Sequence, residues 1–358
     1  MAIVYYRLPR QADFIRIECE DENVECVSSC VELKGKSGFV FAPFKCDDAH
    51  PIIIMRDYSW RTQSVKSTTP YYIKEELTKS YEKIEAERQQ YACDFSKCKH
   101  EIDEKHFSKV VLARYDDVNY RSELDMEATF MNACKRYPRM FVAMISTEIT
   151  GTWLMATPEL LMSETGGVGH TMALAGTMNL SAKQYGFDNP LGSGLDHRIV
   201  WSEKNKNEQR IVADYIKKRL LDVSDSVTES DVYTSRAGNL VHLRSDFSYN
   251  AGSNQSALID ALFPTPAVCG MPKEETREFI LDNETIDREY YSGFAGLLNV
   301  DGSSQLFVTL RCMKLLAKNR VRLFAGGGIM PDSVEADEWH ETENKMETIK
   351  TCIATKKM

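Results

Sequence analysis

Near the end of the chain, Glu338, Glu341 and Lys345 recur at i, i+3 and i+7, which puts two carboxylates and an ammonium on one helix face. Two carboxylates so placed can hold a hard cation such as Mg²⁺ and leave coordination positions open for an anionic ligand. Just before them, Ala325-Gly326-Gly327-Gly328-Ile329 reads as a glycine-rich turn whose bare N–H groups can approach a carboxylate closely. Acidic residues in a first helical turn also simply offset the helix dipole, so other segments must decide.

Lys109 opens the apolar run Lys109-Val-Val-Leu-Ala-Arg114. A lysine at a strand end ordinarily extends to solvent, whereas one desolvated among other cations can serve as a general base. Glu159 follows a proline within Ala156-Thr-Pro-Glu159. At an edge it faces water; partly buried, it keeps a proton at neutral pH and can act as an acid. Glu203 and Glu208 fall in a helical stretch whose apolar stripe is Ile211, Val212, Tyr215, Ile216 and Leu220, and Glu208 sits at the edge of that stripe. Phe263 to Pro272 is a rigid, proline-braced segment, and Arg311 is a cation set in an apolar run. An arginine there needs either a structural carboxylate or the carboxylate of a ligand.

Hydrophobic patterning predicts the elements that hold these residues. Strands are expected over 108–115, 139–146, 153–162, 171–178, 305–316 and 320–324. Helices are expected over 73–90, 124–136, 203–221, 274–281 and 334–351. Strands come in adjacent groups separated by longer helices. The expected class is therefore α+β, one large domain with central antiparallel sheets packed together and helices outside. Residues 1–100 read as an N-terminal portion of that domain, and residues 101–358 as its catalytic region.

Composition narrows the function. A 43% hydrophobic and 27% charged chain is globular, and a net charge of −9 argues against a nucleic-acid surface. An anionic substrate would then need local help from a metal, Arg or Lys. No basic and apolar leader opens the chain, and no apolar run reaches the roughly 20 residues that span a bilayer. The expectation is a cytoplasmic protein with no membrane contact. The ten cysteines, Cys26/Cys30 and Cys93/Cys98 among them, lack the spacing of metal knuckles and read as free thiols.

Taken in order, these segments resemble the chorismate-utilising enzymes, and among them the isochorismate synthases. The set comprises Lys109-Val-Val-Leu-Ala-Arg114, Ala156-Thr-Pro-Glu159, Leu174-Ala-Gly-Thr177 and Ser202-Glu-Lys with Glu208. It continues with Pro264-Thr-Pro-Ala-Val-Cys-Gly270, Arg288-x-x-Tyr291-x-Gly293-x-x-Gly296, Leu310-Arg-Cys312, Ala325-Gly-Gly-Gly-Ile329 and Glu338-x-x-Glu341-Thr-x-x-Lys345. The resemblance implies Mg²⁺-dependent addition of water at C2 of chorismate with loss of the C4 hydroxyl. Lys109 would deprotonate the water and Glu159 would protonate the departing hydroxyl. Glu208 and Glu341 would ligate Mg²⁺, with Glu338 nearby or acting through water. Gly176, Thr177, His242, Ala267, Tyr291, Arg311, Gly327, Gly328 and Lys345 would bind substrate, Tyr291 and Arg311 taking the enolpyruvyl carboxylate. No glutaminase subunit is implied, and the expected state is a monomer.

Two positions depart from the family pattern: Phe263 stands where a histidine is usual, and Gln209 follows Glu208 where histidine is common. Relatives that use ammonia typically carry glutamine at the Lys109 position, and aminodeoxychorismate synthases often carry lysine at Ala175. Lys109 with Ala175 therefore points to water. A salicylate synthase, which goes on to eliminate pyruvate, shares the same lysine and glutamate.

Overall fold

The computed structural model describes residues 1–65, 76–180, 199–238, 240–252 and 255–356. Among these, the chain forms two sheets of ten strands each, and every strand pairing is antiparallel. In the first sheet the neighbours run Lys109–Tyr120, Arg320–Ile329, Cys312–Ala317, Gly151–Thr157, Phe141–Thr147, Ala2–Arg7, Asp13–Cys19 and Ser59–Ser64. In the second they run Leu240–Asn250, Val168–Asn179, Leu160–Thr165, Ser303–Val308, Phe294–Val300, Gly38–Ala42 and Ile52–Met55.

The sheets pack face to face. Phe39, Phe41 and Phe307 of the second meet Phe141, Trp153 and Phe324 of the first, and Phe141 stacks on Phe307 with ring centroids 4.3 Å apart. Both faces of the strand Gly38–Ala42 are buried, Phe39 and Phe41 inward and Val40 and Ala42 outward, so its sequence shows no polar alternation.

Among the described residues six α-helices cover the outside and one end: α1 Tyr81–Asp103, α2 Met126–Arg136, α3 Glu203–Leu221, α4 Gln255–Leu262, α5 Lys273–Asn283 and α6 Glu335–Lys350. α2 and α6 lay Phe130, Ala133, Met346 and Ile349 on the outer face of the first sheet. α3 and α4 lay Val212, Ile216, Leu258 and Ile259 on that of the second. Side-chain caps start α1, α2 and α3: Ser80, Asp125 and Ser202 accept from the N–H groups of Lys83, Ala128 and Asn205.

Four expectations need correction. The 153–162 run is two strands, Gly151–Thr157 in the first sheet and Leu160–Thr165 in the second, broken at Pro158 and Glu159. The 305–316 run likewise splits into Ser303–Val308 and Cys312–Ala317, with the change of sheet at Thr309–Arg311. The glycine run is no turn: Gly326, Gly327 and Gly328 continue the strand Arg320–Ile329 and pair with Ala113, Leu112 and Val111. The first helix starts at Tyr81, after a short strand at Glu76–Leu77, and runs on to Asp103. Residues 73–75 of its expected span lie outside the described residues.

The two strands that change sheet do so side by side. Met155 pairs with Cys312 before the crossing, and Leu160 pairs with Phe307 after it. Between them, Ala156 N–H donates to Arg311 O at 3.2 Å and Val308 N–H donates to Glu159 O at 3.0 Å. Arg311 takes a left-handed φ of 48° at the bend.

A buried ion pair braces the end of the first sheet where Lys109 sits. Arg288 donates to Glu284 twice, at 2.6 and 2.7 Å, and to the carbonyls of Val268 at 2.8 Å and Val111 at 2.7 Å. Glu284 also accepts from Ala113 N–H at 2.7 Å. Arg288→Met should therefore strand a buried carboxylate and two carbonyls, lowering stability by about 3–5 kcal/mol in a denaturant titration.

Candidate functional site

The gap opened by the crossing strands is a cleft with about 580 Å³ of atom-free space, part of it open to solvent. Glu159, Gly176, Thr177, Glu208, His242, Ala267, Tyr291, Arg311 and Lys345 line it, with apolar walls from Val111, Leu174, Val268, Leu310 and Phe324. The cleft thus gathers residues from both sheets and from α3 and α6.

Glu159, at the first crossing, is wholly buried and accepts a 3.4 Å hydrogen bond from Thr265. Burial pushes its carboxyl up to about 7, although the charges of Lys109, Lys345 and Arg311 and the Thr265 bond pull the other way. At neutral pH a large share of it holds a proton.

Arg311, at the second crossing, donates to Thr348 Oγ1 at 3.1 Å and to His242 Nε2 at 3.2 Å. A guanidinium can only donate, so Nε2 is the bare nitrogen of His242 and the ring proton sits on Nδ1, 3.2 Å from Gly176 O. Burial, with Arg311 and Lys345 beside it, holds the His242 imidazole well below its usual range, and it is neutral. Among the described residues no carboxylate pairs with Arg311, and burial lowers its guanidinium to about 10. That leaves a buried cation facing the cleft with no anion of its own.

Lys109 does not extend to solvent. It is 0% exposed, and its ammonium lies 2.8 Å from Glu208 Oε1, outside hydrogen-bond geometry. Its nearest charged partner is therefore a carboxylate, where the sequence reading expected cations. The other Glu208 oxygen accepts from Gly176 N–H at 3.2 Å. A bulge between Ala175 and Thr177 and a φ of 71° at Gly176 turn that N–H toward α3. Burial raises the Glu208 carboxyl, but the charge of Lys109 against it, with Lys345 and Lys204, outweighs burial and holds Glu208 below the usual range.

Glu338 and Glu341 on α6 complete the acidic group. Glu338 is paired with Lys204 and accepts from Ser333 at 2.6 Å. Burial, and then repulsion from Glu341, raise its carboxyl. Glu341 pairs with Lys345 at 2.6 Å, and Lys345 also donates to Gly326 O at 2.8 Å. The three glycines keep this space clear. A Cβ at Gly326 would stand 2.9 Å from Tyr291 Oη, at Gly327 2.9 Å from Glu338 Oε2, and at Gly328 2.4 Å from Glu208 Oε1. Beyond Phe324 their strand pairs on one side only, with the Lys109 strand.

The oxygen donors suit a hard cation, and the glycines leave room beside them. Among the described residues, no three His, Cys, Asp or Glu side chains already converge as a ligand set. The ten cysteines are free thiols, and no described helix is long and apolar enough to cross a membrane.

The model of a family described as chorismate binding enzyme matches residues 30–354. The chain belongs to the chorismate-binding enzymes. It is 33% identical over 244 residues to the isochorismate synthase EntC of Escherichia coli K12, covering 67% of this chain and 61% of EntC. The chain thus aligns with less than two thirds of that relative's length. The solved structure of MenF, the menaquinone-specific isochorismate synthase of Escherichia coli, has the same fold: TM-score 0.77 at 20% identity, over 98% of this chain and 88% of MenF. Anthranilate synthase component I from Streptococcus pneumoniae TIGR4 superposes with a TM-score of 0.67 at 16% identity, over 97% and 92% of the two chains.

Within this chorismate-binding enzyme the two departures lie off the cleft. Gln209 is buried against Ser245 Oγ at 3.0 Å, and Phe263 packs edge-on to Phe294 with centroids 5.0 Å apart. The sequence reading assigns no role to Thr265 or Lys204. Thr265 carries no spacing signal, whereas Lys204, four residues before Glu208 on α3, shares its helix face and was within reach of that rule.

The Glu159 carboxyl sets a pH dependence of stability. Folding favours its protonated form, so its contribution is complete below the ordinary 4.5 and is lost as pH rises through about 7. Glu159→Gln should remove a pH-dependent loss of roughly 3 kcal/mol across that window, seen as a flatter stability profile in urea titrations.

Proposed function

We propose that the chain is an isochorismate synthase, adding water at C2 of chorismate as the C4 hydroxyl leaves. The observation that carries this reading is the buried Glu159, pushed up to about 7 in a cleft it shares with Glu208 and with Arg311, which pairs with no carboxylate among the described residues. A carboxyl that keeps its proton is an acid for the departing hydroxyl.

Arg311 and Tyr291 hold the enolpyruvyl carboxylate, the guanidinium kept in place by His242 and Thr348. Lys109, acting as the neutral amine, takes a proton from the attacking water. The new C–O bond forms at C2, both ring double bonds shift by one position, and the C4–O bond breaks as Glu159 gives its proton to the leaving oxygen. One water enters and one departs, so the change is an isomerisation. Thr177, Gly328 and Lys345 support the ring carboxylate.

Glu208 and Glu341 would hold Mg²⁺, with Glu338 beside them. Bound there, the ion would supply positive charge for the ring carboxylate and relieve Lys109 of its carboxylate partner.

Incubation of the protein with chorismate and Mg²⁺, with products identified by NMR, should yield isochorismate without pyruvate. Pyruvate release would move the reading to a salicylate synthase. Lys109→Gln and Glu159→Gln should each lower turnover by roughly 10²–10⁴-fold. High ammonium should restore some amination of chorismate to Lys109→Gln only, because Glu159→Gln still lacks the acid. Equal isochorismate production by wild type and Lys109→Gln would remove the lysine from the mechanism.

A further inference from the structure

Three lysines face the acidic group of the cleft, and one of them has no part in the chemistry above. Lys204 precedes Glu208 by four residues on α3, so the two side chains leave the same helix face. Its ammonium pairs across to Glu338 on α6, whose side chain is 2% exposed. A carboxylate this deep is costly to leave without a counter-charge, and Glu341 follows three residues later on the same face.

The three lysines differ in freedom. Lys109 has a side chain 1% exposed, and Lys345 is tied to Gly326 O at 2.8 Å. Lys204 remains 24% exposed, because it also lines a second, outer cleft between the end of α1, the first turns of α3 and the segment Met330–Asp332. That cleft is open to solvent and carries Asp332, Lys105 and the ion pair of Asp214 with Arg210. On the other side of Glu338, the bare face of Gly327 leaves its Oε2 uncrowded.

We propose that Lys204 is a tethered counter-ion that occupies Glu338 in the metal-free protein and withdraws into the outer cleft when a divalent cation binds. This rests on the metal reading above and adds a competitor to it. The exchange breaks no covalent bond and moves no proton: one ammonium leaves a carboxylate, and solvent, with Asp332 in the same cleft, receives it. Lys204 then tunes how tightly metal is held without touching substrate, and keeps α3 and α6 joined while the metal is away.

Lys204→Met keeps the stem and deletes the charge. Thermal unfolding after chelation, and calorimetric titration with Mg²⁺ in the absence of chorismate, read the two halves of the proposal. The metal-free variant should melt below wild type, and saturating Mg²⁺ should close the difference. Its Mg²⁺ affinity should rise roughly tenfold. Lys204→Arg should keep the metal-free melting temperature, and in a Glu338→Gln background Lys204→Met should have neither effect. Mg²⁺ binding to wild type that Lys204→Met leaves unchanged or weakens, with metal-free melting also unchanged, overturns the role of Lys204 alone. A failure of Mg²⁺ to bind to wild type and to Lys204→Met alike overturns the metal reading and this inference with it.

Discussion

Two strands that leave one sheet and enter the other side by side decide where chemistry can occur. A break in a strand normally orphans backbone groups, and buried orphans are costly. Here each strand repairs the other, Val308 bonding to Glu159 and Ala156 to Arg311 across the bend. An acid and a guanidinium can therefore project into the space between the diverging strands while their own backbone carbonyls stay bonded across the bend. The left-handed φ of Arg311 is part of the same bend. The remaining groups come to this gap from the Lys109 strand, from the bulge at Gly176, and from the faces of α3 and α6.

Burial then sorts the carboxylates. Glu159 is 3% exposed and the Glu208 side chain 14%, and burial raises both carboxyls, yet one ends raised and the other lowered. The difference is contact with a cation. Glu208 meets Lys109 directly at 2.8 Å, whereas the direct side-chain partner of Glu159 is a neutral hydroxyl, Thr265. Identical side chains thus become a proton carrier and an anionic ligand through their neighbours alone. His242 belongs to the same arrangement, because only its neutral ring offers Arg311 a lone pair.

Much of this is legible in the sequence where signals are local. The bounds of α3 follow from its cap Ser202 and its apolar stripe, and the candidate residues stand out as charges in apolar or glycine-rich surroundings. The breaks at Pro158 and Leu310 are not legible, because strands buried on both faces lose the polar alternation that marks where one ends. The glycines of 326–328 suggest a turn for want of side chains. Their reason is the closeness of Tyr291, Glu338 and Glu208, residues distant in the chain. The pairing of Lys204 with Glu338 spans 134 residues and leaves no local trace. The first strands are equally silent in isolation, since Gly38–Ala42 is held by Phe294–Val300.

That last pairing bears on how the protein is made. A ribosome delivers Ala2–Arg7 soon before one neighbour, Asp13–Cys19, but long before the other, Phe141–Thr147, and Gly38–Ala42 soon before Ile52–Met55 but far earlier than Phe294–Val300. At the roughly 5–20 residues per second of synthesis, those apolar strands wait many seconds with open edges. Neither sheet can close before Arg320–Ile329 and Ser303–Val308 have been made, so collapse of the core comes late in synthesis. For that interval the apolar segment Gly38-Phe-Val-Phe-Ala42 presents an unpaired strand edge to neighbouring chains, the feature that makes unfinished sheets prone to aggregate.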